Sequence, residues 1–285
     1  MRGVTNTAAG KIALVTGASR GIGKGIALEL GAAGATVYLT GRTRAPGMLP
    51  GTIDATAAEV EALGGHGIAV ECDHHDDTQV QALFERIRAG HGKLDVLVNN
   101  VFSTPDLAPW LHKPFWELPI GVWDELIGVG LRSHYVASVL AAPLLTEGGL
   151  IANISNDVRD HTYNVPYDVG KAGLNKLTEI MAADLRPRGI AAVTVWPGLV
   201  CTELLMLAAS TDEHGRQVLD IPGQGAFDLS AAESPRFVGR GVAGLAADPE
   251  VLSLSGKALT TQELAERYGV TDLDGSTPNV RANLA

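Results

Sequence analysis

From Lys11 to about Leu204 the chain alternates between two patterns. Continuous apolar runs at residues 12–16, 35–40, 67–72, 94–98, 150–154 and 191–196 read as strands buried on both faces. A strand with one wet face would alternate apolar and polar positions instead. Between these runs, apolar residues recur at helical spacing over 22–33, 52–63, 78–89, 123–145 and 166–185. Strands separated by helices pair in parallel, and right-handed crossovers cover both faces. The expected fold is α/β, a doubly wound parallel sheet. The last third is less regular. Residues 202–235 mix Leu204, Leu205, Met206 and Leu207 with polar, Gly and Pro positions, and read as a lid. A helix is expected over 237–247, then a short return from Leu259 into a helical stretch ending at Tyr268. No repeat or linker divides the chain, so one domain is expected over 10–260, with a C-terminal extension at 261–285.

Composition narrows this further. Two cysteines in 285 residues, Cys72 and Cys201, exclude a disulfide scaffold and fit a reducing compartment. The longest apolar stretch, near residues 135–145, is broken by Ser138 and Pro143 and falls short of the ~20 residues that span a bilayer. Residues 1–9 lack the layout of a signal peptide, so a soluble cytoplasmic protein is expected, with no membrane span. The net charge of −10 repels nucleic acid, and no basic run interleaved with aromatics offsets it. A phosphate-bearing ligand must therefore be held locally.

The first run delivers the chain into Thr16-Gly17-Ala18-Ser19-Arg20-Gly21-Ile22-Gly23. Gly17 permits a tight turn, Gly21 lets backbone approach a pyrophosphate, and Gly23 lets the next helix lie close to the strand. The helix opening near Ile22 offers free N–H groups and the positive end of its dipole. With a strand before it and a helix after it, the triplet reads as a dinucleotide cradle in a Rossmann-like fold. No acid between Tyr38 and Arg44 is present to read a ribose 2′-hydroxyl. Arg20, Arg42 and Arg44 instead offer planar donor forks to a 2′-phosphate, which favours NADP(H) over NAD(H). Arg44 also reads as a solvated surface arginine. His74-His75-Asp76-Asp77 is not expected to hold a metal, because adjacent side chains diverge and no ligand follows at i+4. Asp77 is the expected N-cap of the next helix.

Tyr167-Asp168-Val169-Gly170-Lys171 places a phenol and an ammonium at i and i+4 on one helical face, after the fifth strand. In a doubly wound sheet that is the side where ligands bind. A phenol with an ordinary pKa of about 10 exchanges protons poorly at neutral pH unless a cation favours its ionised form. Lys171 is placed to supply that charge.

The Gly-xxx-Gly-x-Gly spacing after Thr16, Asn99-Asn100-Val101, the Tyr167/Lys171 pair and Pro197-Gly198-Leu199-Val200-Cys201-Thr202 together resemble the short-chain dehydrogenases/reductases. The resemblance covers nearly all of residues 11–275, and segments such as 33–38, 94–100, 164–167 and 252–257 read like one subgroup. It implies an NADPH-dependent carbonyl reductase. Tyr167 would give a proton to the substrate oxygen, while Lys171 lowers its pKa and binds the nicotinamide ribose. Asp73 would meet the adenine amino group. Asn99 and Val101 would meet the cofactor, as would Pro197, Gly198, Val200 and Thr202. A donor to the substrate oxygen falls within Asn153-Ile154-Ser155-Asn156. Counting forward from Asn153 selects Asn156; counting back from Tyr167 selects Ser155, which is preferred. The family's relay asparagine is replaced by Gly130, so that relay is absent or supplied by water. Helices 123–145 and 166–185 would pair in a homodimer or homotetramer.

Five of the 14 aromatics, Phe102, Trp110, Phe115, Trp116 and Trp123, follow the fourth strand. With the apolar lid they suggest a small hydrophobic carbonyl or secondary alcohol as substrate. Two rivals remain: a catalytically silent NADP(H)-binding sensor, and a non-redox enzyme such as a dehalogenase. The intact Tyr167/Lys171 pair argues against the first, and the complete glycine triplet against the second.

Overall fold

The computed structural model describes residues 7–45, 47, 49–103, 110, 113–159, 163–221 and 225–279. Positions 222–224 of the expected lid and 280–285 of the expected extension lie outside the described residues, as do 104–109 and 111–112 of the aromatic segment. Each apolar run becomes a strand whose successive side chains enter opposite layers. In β1 (Ile12–Val15), Ile12 and Leu14 join one core while Ala13 and Val15 join the other. β2 (Thr36–Gly41), β3 (His66–Glu71), β4 (Leu94–Asn99), β5 (Leu145–Ile154) and β6 (Ala191–Trp196) follow. Then come β7 (Ser210–Thr211), β8 (Gln217–Ile221), β9 (Gly225–Asp228) and β10 (Ala258–Thr260). Seven of these form a parallel sheet in the order β10-β6-β5-β4-β1-β2-β3. The sheet grows outward on both sides of β1, so the loops after β1 and β4 diverge and leave a crevice between them.

The helices are α1 (Gly21–Ala32), α2 (Ile53–Ala62), α3 (Asp77–His91), α4 (Ile120–Ile127), α5 (Ser133–Ala141), α6 (Val165–Leu185), α7 (Glu203–Ala208), α8 (Pro235–Ala247) and α9 (Thr261–Tyr268). α1 and α8 share one core with the sheet; α3, α5 and α6 share the other. Side-chain caps start most of them: Thr52 for α2, Asn164 for α6, Ser234 for α8, and a reciprocal Thr260/Glu263 box for α9. α1 and α8 meet backbone to backbone. A Cβ on Gly25 would stand 2.1 Å from Pro235 O, and one on Gly239 2.4 Å from Gly25 O. Beside this contact the buried Glu29 carboxylate receives Arg236 Nε at 2.7 Å and lies 3.4 Å from Arg240 Nε.

Three sequence expectations are corrected here. The helix expected over 123–145 is two helices, α4 and α5, joined by a π turn at Gly128–Arg132, in which Ser133 N–H reaches back to Gly128 O. Two glycines in one turn weaken the α-helical hold there. The helix ends at Ala141, and Leu145 already belongs to β5. The N-cap of α3 is Asp76, whose carboxylate accepts from Thr78 N and Gln79 N; Asp77 instead pairs with Arg132 at 2.6 and 2.8 Å. The lid contains α7 and a three-stranded antiparallel sheet, β7-β8-β9. These strands are two to five residues long, and Phe227 and Leu219 pack with Leu229 and Ala232 in a small cluster, so no continuous apolar run announces them. Cys72 and Cys201 are free thiols, and burial pushes Cys72 up to about 12. Among the described residues, no helix is long and apolar enough to cross a membrane.

The backbone contact between α1 and α8 leaves no room for a methyl group. Gly239→Ala should lower the unfolding free energy in urea titrations by about 1–3 kcal/mol; an unchanged midpoint would mean the two helices can part at no cost.

Candidate active site

The cleft begins where β1 runs into the glycine turn. Gly17 has φ +68°, and a Cβ there would lie 2.7 Å from Val101 Cα. A Cβ on Gly23 would lie 2.3 Å from Gly17 O and 2.4 Å from Asn100 Nδ2. Glycine is required at both places by close approach, and at Gly17 by the turn as well. Asn100 then stitches the two diverging loops together. Its Nδ2 donates to Thr16 O at 2.9 Å and Gly17 O at 3.0 Å, while Thr16 Oγ1 accepts from Asn100 N and Val101 N. The result is a cavity of about 520 Å³ that runs from the N-terminus of α1 to the N-terminus of α6. A nicotinamide dinucleotide fits this cradle: the glycines let a ligand approach the backbone closely, and the cavity runs along the first turn of α1.

Ser19, Arg20, Gly21, Ile22, Arg42 and Asp73 line one end of this cavity. Arg20 Nη2 donates to Thr43 Oγ1 and Gly51 O, both at 3.2 Å, which holds its guanidinium at the rim. Arg42 is largely exposed and lies 3.8 Å from Asp73. Arg44 does not join them. Its fork is closed on Asp54 at 2.7 and 3.1 Å, outside the cleft, so two arginines face the cavity rather than three. His74 is buried against Thr40 Oγ1 at 2.8 Å, and burial pushes it down to about 4. His75 turns away to Glu125.

At the other end, Tyr167 and Lys171 both line the cavity, one turn apart on α6. Lys171 is buried, and its Nζ donates to Ile154 O at 3.1 Å. Burial pushes the ammonium down to about 8. The Tyr167 phenol is pushed above its ordinary value, first by burial and then by Tyr163 and Asp168, while a hydrogen bond with the Asn156 side chain pulls the other way. The expected lowering by Lys171 is therefore not present in the free site. The ammonium is directed at the Ile154 carbonyl and the Phe102 ring, and desolvation dominates the phenol. Ser155 and Asn156 both line the cavity: Ser155 Oγ donates to Lys171 O at 3.2 Å, while the Asn156 side chain hydrogen-bonds the phenol.

Pro197, Gly198 and Thr202 also line the cavity, as does Val101. Asn99 and Val200 do not. Asn99 points into the core, where its Nδ2 donates to Asn153 Oδ1, Ser138 Oγ and His134 O, and Val200 packs into the core that α1 and α8 share with the sheet. Both sit at buried strand or bridge positions whose side chains alternate away from the crevice. Of the aromatic segment, Phe102 alone reaches the cavity among the described residues, joined by Leu204 from the lid. Phe115 and Trp116 are 63% and 73% exposed. Two site residues escaped sequence reading. Tyr163 packs T-shaped on Tyr167 with ring centroids 4.8 Å apart. Glu203, at the first turn of α7, accepts the Gly21 N–H at 2.8 Å and so fastens the lid to the cradle. Glu203 directly follows the Pro-Gly-xxx-Thr segment, but an acid at a helix start is too common to stand out.

Comparison with known proteins gives a consistent result. A family model for short chain dehydrogenase matches residues 11–213. Dehydrogenase/reductase SDR family member 1 from Mus musculus is 44% identical over 276 residues, covering 93% of this chain and 84% of that protein. The protein of the same name from Homo sapiens is also 44% identical, over 273 residues, with the same shares covered. Among solved structures, a short chain dehydrogenase from Burkholderia cenocepacia J2315 in complex with NADP superposes with a TM-score of 0.72. It is 32% identical, and the match covers 88% of this chain and 96% of that one. A short chain dehydrogenase from Mycobacterium thermoresistibile gives a TM-score of 0.77 at 26% identity, covering 95% and 92%.

The buried ammonium makes a prediction for the free protein. Lys171 is pushed down to about 8 from 10.5, so between these values the unfolded chain binds a proton that the folded chain has released. Its unfavourable contribution to stability is full below about 8 and fades as pH rises toward 10.5. From about pH 7.5 to about pH 9.5, wild-type stability should therefore rise relative to that of Lys171→Met. Parallel stability curves would show that the amine is not desolvated.

Proposed function

The chain belongs to the short-chain dehydrogenase/reductase family and is an oxidoreductase; from that premise we propose that it transfers hydride between NADP(H) and a hydrophobic carbonyl or secondary alcohol. One observation carries this reading. The Tyr167 phenol, the Asn156 side chain and the Lys171 ammonium converge in the same cavity whose far end is the glycine cradle. A bound nicotinamide supplies or accepts the hydride. The chain's own residues handle the proton.

In the direction of reduction, Tyr167 gives its phenolic proton to the carbonyl oxygen as hydride reaches the carbon, leaving an alcohol and a phenolate. A phenol pushed upward by burial stays protonated at neutral pH, which is the state this step requires. Lys171, one helical turn away, must swing its ammonium from the Ile154 carbonyl toward the phenol oxygen to stabilise the phenolate once the proton has left. Asn156 holds the phenol oxygen and can turn an N–H to the substrate oxygen, whereas the Ser155 hydroxyl is engaged on Lys171 O. Phe102, Tyr163, Ile154 and Leu204 give this end of the cleft an apolar lining, which suits a hydrophobic substrate.

Arg20 and Arg42 support NADP(H) over NAD(H), since both guanidinium groups flank the cradle and no carboxylate is placed between Tyr38 and Arg44. Asp73, on the same rim, is proposed to meet the adenine. Assembly into a homodimer or homotetramer is supported by exposed apolar side chains on two neighbouring helices, Tyr135 and Val139 on α5 and Val169 and Ile180 on α6.

Replacing the phenol tests the reaction. Tyr167→Phe should lower kcat for NADPH-dependent reduction of aryl ketones by about 10²-fold or more while NADPH still binds. Retained turnover would refute the acid–base assignment, and a wild-type protein that binds NADPH but turns over no carbonyl would favour the silent sensor. For the cofactor, Arg42→Ala should cost about tenfold in kcat/KM with NADPH and little with NADH. Equal losses with both would remove the 2′-phosphate contact.

A further inference from the structure

The mechanism leaves unexplained how a fully enclosed ammonium is kept charged and in place. Among the described residues Lys171 Nζ has one hydrogen-bond acceptor, Ile154 O. Its other close neighbours are aromatic faces: Nζ stands 5.2 Å from the centroid of Phe102 and 5.9 Å from that of Tyr167. The same ring meets Tyr167 in a T-shaped contact at 5.8 Å and 86°. Behind it lies the π turn, where a Cβ on Gly130 would touch Phe102 Cδ2 and Cε2 at 3.4 Å. A methyl group would fit there, but a longer side chain would push into the ring. Phe102 is thus wedged between the turn and both members of the acid–base pair.

We propose that Phe102 is a positioning residue for this pair: its face holds the Lys171 ammonium toward the Ile154 carbonyl, its T-shaped contact fixes the Tyr167 ring, and the absent side chain at Gly130 admits it. The inference rests on the acid–base reading above and assigns the ring a role within it. A cation held over an aromatic face away from water is stabilised by the ring quadrupole far more than at an exposed site. Among the described residues, no titratable group facing Lys171 brings an aromatic face closer than Phe102 does. Tyr163, just ahead of α6, and Tyr167 on its first turn are phenols pushed upward by burial, and Asp168 stands beside Tyr167 on that turn. His134 on α5 is neutral, pushed down to about 3 by burial and then by Lys171 itself. Burial is the one cause acting on Lys171, so no carboxylate among the described residues offsets its desolvation.

The test changes the ring's electrons and not its shape. Phe102 is replaced in the full chain by 4-fluoro-, 3,5-difluoro- and pentafluorophenylalanine, and the Lys171 amine, labelled at Cε, is titrated by NMR in the free protein. Each fluorine drains the ring face and disfavours the charged amine, so the titration midpoint should fall stepwise along the series. kcat for aryl ketone reduction should fall in the same order, by about threefold to thirtyfold at the end of the series. Phe102→Leu, which keeps an apolar side chain but no π face, should lower kcat with less effect on KM for NADPH. A midpoint that stays fixed across the series overturns the inference. Tyr167→Phe in the same assay separates the two levels. If it abolishes turnover while the fluorinated series is flat, only the role of Phe102 fails; if it retains turnover, the acid–base reading fails and takes this inference with it.

Discussion

The architecture of the cleft depends on one constraint: two loops that leave the sheet in diverging directions must be tied together without filling the space between them. Thr16 and Asn100 meet it by using side chains to satisfy backbone groups. The Asn100 amide covers the carbonyls of Thr16 and Gly17, and the Thr16 hydroxyl covers two N–H groups of the opposite loop. Close approach then forces glycine at 17 and 23, where any Cβ would collide with backbone or with Asn100 itself. The open floor of the cavity follows from that stitching, as does the placement of the start of α1 along it.

The chemistry at the far end follows from desolvation. Tyr167 and Lys171 are pushed in opposite directions by the same burial, the phenol toward its neutral acid form and the amine toward its neutral base form. In water the two groups would be nearly matched in proton affinity; burial drives them apart, so the phenol keeps its proton and the amine gives its up more readily. What distinguishes this site is that apolar and aromatic side chains set that environment, with a backbone carbonyl and one amide as its polar partners.

Much of this was legible in the chain. Continuous apolar runs located six of the seven strands of the main sheet, because a strand buried on both faces has no polar positions to confuse the pattern. Glycines 17, 21 and 23 and the i, i+4 spacing of Tyr167 and Lys171 marked both ends of the cleft. Other features were hidden for physical reasons. Asn99 and Asn100 are adjacent and identical in type, yet one faces the core and the other the cleft; only strand register tells them apart. Ser155 and Asn156 both reach the cleft, and only their hydrogen-bond partners tell them apart. Two glycines hinted at a disturbance in the fourth helical stretch, but periodicity alone did not separate a bend from a π turn. The antiparallel lid sheet buries too little apolar surface to leave a signature.

The clamp on α1 comes from late in the chain. The family match ends at residue 213, whereas Pro235, Arg236, Gly239 and Arg240 of α8 are what press on α1 and neutralise Glu29. The recognised span is therefore not a separable module. A split protein cut ahead of Pro235 would leave the amino-terminal fragment with a glycine groove open to water and a carboxylate stripped of its two arginines. The cradle would re-form only when the carboxyl-terminal fragment docked, which makes that junction a natural place to build a two-piece, reassembly-dependent form of the protein.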